Sequence, residues 1–110
     1  MAIQMKQDAP GIFADIEGDK RFFSNDGSVI KNLAELTDYL NRIKAEVYRY
    51  HVNSEKNDFS NWVRDVFGDT KLASELNRVK NPLEASKILM DRIAWLQKNR
   101  NQYRRSNKKS

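Results

Sequence analysis

The 110-residue sequence has no cysteine, one histidine, two prolines and four glycines, and no apolar run approaching the roughly 20 residues of a membrane-spanning helix. Each scarcity excludes something. Without cysteine there is no disulfide framework, no thiolate nucleophile and no cysteine-ligated zinc, and with His51 alone a multi-histidine metal site cannot be built. No Gly-Lys-Ser or Gly-Lys-Thr follows a glycine-rich loop, so a phosphate-cradling P-loop is missing. Residues Met1 to Pro10 lack the apolar stretch of a secretory signal, which makes a cytoplasmic protein the expectation, with no membrane partner and no cofactor. Asn and Gln together number 15, a count of thermolabile amides that argues against an extreme thermophile.

What remains has the balance of a folded, well-solvated chain: 39% hydrophobic, 10% aromatic and 32% charged residues, enough for one domain with a core and too few for two. The net charge of +5 is unevenly placed. Residues 1–20 carry −2, residues 21–97 carry +1 with the signs interspersed, and residues 98–110 carry +6 with no acid among them. The basic character of the protein therefore belongs to its last thirteen positions and not to its body.

Three regions follow from composition and pattern: an acidic, flexible arm over 1–19, a helical domain over 20–98 and a basic tail over 99–110. In the arm, Pro10-Gly11 breaks any regular element, and Ile12, Phe13 and Ile16 are its candidates for docking on the core. Arg21-Phe22-Phe23 and Ser28-Val29-Ile30 flank Ser24-Asn25-Asp26-Gly27, a pattern that predicts one small hairpin turning at Asp26-Gly27 and leaning on helices. Asn32 with Glu35 three residues later predicts a reciprocal capping box. From there Leu33, Leu36, Leu40, Ile43 and Val47 keep a helical period, uninterrupted by Pro or Gly, that predicts one helix to about Tyr50 with Lys44 as the place for a kink. A second, short helix is predicted from a cap at Asn57 or Asp58 to Gly68, with Phe59, Trp62, Val63, Val66 and Phe67 on its apolar face. Asp69 and Asn81 cap two more, the last opening with Pro82 at its first position and running to about Lys98. The fold class is thus mainly α, a compact bundle of about four helices with a small N-terminal hairpin. Its expected core contains Leu36, Leu40, Ile43, Phe59, Trp62, Val63, Val66, Leu72, Leu76, Ile88, Leu89 and Ile93.

The string Tyr50-His51-Val52-Asn53 followed by Lys56-Asn57-Asp58-Phe59-Ser60-Asn61-Trp62-Val63-Arg64-Asp65-Val66-Phe67-Gly68-Asp69, with Phe22-Phe23-Ser24 and Asp26-Gly27 before it, resembles an uncharacterised family of small archaeal and bacterial helical domains. The resemblance covers roughly residues 20–80 and implies a fold without assigning an activity.

Two groups of residues bear on chemistry. His51, Asn57, Asp58, Trp62, Arg64 and Asp65 include types used in acid–base catalysis, with Asp58 the natural partner of His51, but caps, an apolar face and a wet face account for the other five, and a bond to the following loop or the helix C-terminal dipole accounts for His51. Asp15, Glu17 and Asp19 alternate without the spacing of a calcium loop. The second group is the tail: Lys98, Arg100, Arg104, Arg105, Lys108 and Lys109 neutralise phosphates by counterion release, and Tyr103 offers a stacking surface for an unpaired base. The sequence thus predicts a non-enzymatic, nucleic-acid-associated protein, with RNA favoured over DNA and a ribosome or nucleoid as its setting. A protein-binding adaptor, using a surface near Tyr48 and Tyr50 and with the tail only solubilising, is the alternative.

Overall fold

A computed structural model describes residues 13–109 of the chain, with side chains described for 13–99. Asp26-Gly27 turns a hairpin because Gly27 can take a φ of 92° that a Cβ would strain. The strands β1 (Phe22–Phe23) and β2 (Val29–Ile30) pair antiparallel in the register Phe22 to Ile30 and Phe23 to Val29. Alternation along so short a ladder sends Phe22 and Ile30 into the core and leaves Phe23 and Val29 outside. A 3₁₀ turn, Gly18–Lys20, precedes the hairpin. Ahead of that, Ile16 is buried and donates its amide to the Lys31 carbonyl at 2.7 Å, while Phe13 is only partly covered. The docking expected of Ile16 is met; Ile12 and the part of the acidic arm before it lie outside the described residues.

Five α-helices follow: α1 (Leu33–Arg42), α2 (Ala45–His51), α3 (Asp58–Trp62), α4 (Thr70–Leu76) and α5 (Pro82–Lys109). The single helix expected to Tyr50 is two, since Ile43 and Lys44 are extended with ψ near 145°. No Pro or Gly causes this break. It re-aims α2 so that Val47, Tyr48 and His51 all face inward, a tertiary demand that overrides local propensity. The capping box is also shifted. Asn32 Oδ1 accepts the Glu35 amide at 2.7 Å as predicted, but the Glu35 carboxylate receives the amide of Lys31, at 2.9 Å, and that bond holds the acid below its usual range.

The helix predicted over 57–68 opens on the Asn57 cap and then widens into a π-helical turn, Val63–Phe67, closed by Gly68 at φ 72°. A wider turn brings residues five apart nearer one face, and Phe67 meets Trp62 edge-to-face at 5.2 Å. Asp69 caps α4 through the Leu72 amide and Asn81 caps α5 through the amides of Leu83 and Glu84. The last helix does not stop near Lys98; its backbone continues to Lys109, about 42 Å in all, and the described molecule is 50 Å long against 26 and 22 Å across.

The core gathers the inward residues of the hairpin, α1, α3 and α4 against Ala85 and Leu89 of α5. Ile43, Val66, Ile88 and Ile93, expected inside, are only partly buried at its rim. In their stead Leu33, Tyr39, Tyr48, Val52 and Phe67 are inside. Phe22, Phe59 and Trp62 form an aromatic group with Tyr48 and Phe67 at its flanks.

Candidate functional site

The break at Lys44 and the cap at Asn57 together decide the position of the one histidine. His51 ends α2 and Asp58 begins α3; the antiparallel bridge between Val52 and Asn57 folds the intervening loop so that the two side chains meet. His51 Nδ1 lies 2.9 Å from Asp58 Oδ2, which also accepts from Lys56 Nζ at 3.0 Å. The ring is buried, with Phe22 at 5.2 Å and Phe59 at 5.4 Å. On its other side Nε2 faces the hairpin turn, 3.0 Å from the Asn25 amide and 3.2 Å from Ser24 Oγ. Ser24 Oγ is in turn 2.6 Å from the Tyr39 hydroxyl, which donates to Asp26 Oδ2 at 2.8 Å.

An acid, a histidine and a serine in this order have the outline of a nucleophilic triad, and the proton directions decide whether they can act as one. A backbone amide can only donate, so Nε2 accepts from Asn25 and the ring proton sits on Nδ1, pointing at Asp58. The Tyr39 proton goes to Asp26, so the Tyr39 oxygen is the acceptor for the Ser24 hydroxyl. Ser24 therefore gives its proton away from His51, whose single Nε2 lone pair is already engaged. Ser24 is itself buried at 8% exposure, and no base is free beside it. The arrangement is a closed chain of satisfied polar groups that pins the hairpin turn to α1, α2 and α3.

Its electrostatics agree. The Ser28 amide, with help from the Tyr39 hydroxyl, draws Asp26 down from 3.8 to about 2. Burial raises Tyr39, and burial with the Glu84 charge pushes Tyr48 up to about 12. Neither tyrosine ionises near neutrality. Arg64 and Asp65 pair with each other on the exposed side of the π-helical turn, as their positions predict. Among the described residues no cluster of three or more His, Asp or Glu could hold a metal ion.

The cationic segment belongs to the last helix. Lys98 is exposed on α5. The backbone at Arg100, Tyr103, Arg104, Arg105, Lys108 and Lys109 continues the same helix, and their side chains lie outside the described residues. Just before them is a feature the periodicity conceals. Trp95 reads as one more apolar residue sustaining the helix, yet it is 54% exposed, with the Arg92 guanidinium 5.3 Å from its ring centre. Arg92 is held bidentately by Asp69, at 2.9 and 3.0 Å, in a pair that is mostly buried.

Residues 19–98, from the 3₁₀ turn to the first cation of the basic segment, match a family described as of unknown function. The chain belongs to DUF5752. No curated protein and no solved structure matches it. The DUF5752 match takes in every member of the Asp58–His51–Ser24–Tyr39–Asp26 chain and the Asp69–Arg92–Trp95 group, and it extends beyond the 20–80 over which the resemblance was legible. The arm before Asp19 and the helix beyond Lys98 fall outside DUF5752. No helix among the described residues is long and apolar enough to cross a membrane.

Proposed function

We propose that this protein is a non-enzymatic, nucleic-acid-associated module whose folded body is carried to a polyanion by the cationic end of α5, with RNA preferred over DNA and a ribosome or nucleoid as its setting. One observation carries the reading: six cations and no acid in residues 98–110, attached to a body of nearly zero net charge. Such a segment gains affinity for phosphates by displacing condensed counterions, without needing a sequence to read. The non-enzymatic part is supported at His51, where the lone pair that a general base would use is taken by the Asn25 amide.

The test is salt dependence. If about four to six phosphates are contacted, log K falls against log salt with a slope of roughly −0.7 to −0.9 per contact. Replacing Lys98, Arg100, Arg104, Arg105, Lys108 and Lys109 together by Gln should remove both the binding and the slope. Failure of the full-length chain to bind RNA or DNA at about 50 mM salt, where such contacts are strong, overturns the proposal.

A second reading, a protein-binding adaptor, is favoured by Leu83 and Met90, 62% and 51% exposed and two turns apart on the outer side of α5. Of the two tyrosines that first pointed to such a surface, Tyr48 is buried and Tyr50 is exposed, with Lys56 4.7 Å from its ring centre. A protein partner held there would be little affected by the six Gln substitutions.

A further inference from the structure

Resting on the nucleic-acid reading, we infer that Trp95 is a stacking platform for an unpaired base, so that the ligand of the α5 end is a single-stranded nucleic acid and not a duplex. Three observations meet at this residue. Trp95 is exposed by more than half and stands at the root of the cationic segment, one turn before Lys98. Its indole is not loose, because Arg92 packs over it and Asp69 grips Arg92 by two hydrogen bonds, so the ring is oriented before any ligand arrives. And Asp69 is itself fixed, since the same carboxylate caps α4.

The chemistry selects the ligand. Bases of a duplex are stacked on one another and offer no face to an indole, whereas an unpaired base can leave its neighbours and stack on Trp95 while its phosphates run along the cations that follow. Cations alone would bind single and double strands alike; the aromatic adds the preference. RNA and DNA single strands share this chemistry, and oligouridylate against oligothymidylate separates them.

The protein carries its own reporter. Trp62 is buried and hydrogen-bonded through Nε1 to the Lys20 carbonyl, so a ligand added from solution should quench the emission of Trp95. Full-length protein is titrated at about 50 mM salt with a twelve-nucleotide oligouridylate, an oligothymidylate and a twelve-base-pair duplex, each also by anisotropy of a labelled strand. The expected result is quenching by single strands and little by duplex. Trp95→Ala should weaken single-strand binding roughly tenfold and leave duplex binding unchanged, Trp95→Phe should recover much of the loss, and circular dichroism should show both variants folded. Equal affinity for duplex and single strand, or single-strand binding untouched by Trp95→Ala, overturns the stacking role while the phosphate reading stands. Absence of binding to all three ligands overturns both.

Discussion

The hairpin corner around His51 and the C-terminal end of α5 use polar side chains in opposite ways. At the corner, Ser24, Tyr39, His51, Asp26 and Asp58 are linked in one chain in which each hydrogen bond has a defined direction. Polar groups so arranged hold a conformation. At the α5 end the cations follow one another without an acid, and Trp95 is exposed beside them. Groups that look reactive in a sequence are thus spent on architecture, whereas the segment proposed to bind has no acid in its sequence to pair with its cations. The DUF5752 match takes in the corner together with Trp95 and Lys98, and leaves residues 99–110 outside it.

Substitutions can break this contrast, and the corner should give the largest effect. His51→Ala removes a buried ring and strands the Asn25 amide and Asp58, which should cost on the order of 4 kcal/mol in urea unfolding. A loss below about 1 kcal/mol would mean the chain of bonds is not what holds the hairpin. Asp69→Ala should come next, at about 3 kcal/mol, because it removes the cap of α4 and leaves Arg92 mostly buried without its partner. Tyr39→Phe keeps the packing and deletes one hydroxyl, for about 1 kcal/mol.

The same hydroxyl sharpens the contrast by pH. Asp26 is depressed in the folded state from 3.8 to about 2, so its contribution is present above pH 4 and is lost as the pH falls from about 4 towards 2. Asp26→Asn should flatten that part of the stability–pH curve, and Tyr39→Phe should reduce its steepness. Smallest of all, the six Gln substitutions at 98–109 should change unfolding by no more than about 0.5 kcal/mol, the size usual for substitutions made away from a core. Significant unfolding from them would make the basic segment part of the architecture.

Much of the fold was legible because its signals are local. The caps at Asn32, Asn57, Asp69 and Asn81, the left-handed Gly68 and the turn at Gly27 each follow from one or two residues, and each is present. What escaped was decided over distance. Lys44 could be marked as the place for a kink but not as the full break that turns α2 to bury Tyr48 and His51, and nothing near Lys98 marks a helix that continues. The pairing of His51 with Asp58 could be named from their types, but Ser24, Asn25 and Tyr39 lie 26 or more, or 12 or more, positions from His51, where spacing is silent. Trp95 was hidden for a different reason: it fits a helical period, and only the packing tells which side of that period faces water.

The amide of Asn25 sits in an exposed turn between strands of two residues, where one would look for rapid exchange with solvent deuterium. Because its acceptor is a ring anchored among Phe22, Phe59 and the start of α3, that proton cannot be released by fraying of the ribbon alone. Its deuteration rate should track global unfolding, so that a surface loop keeps time with the deepest part of the molecule.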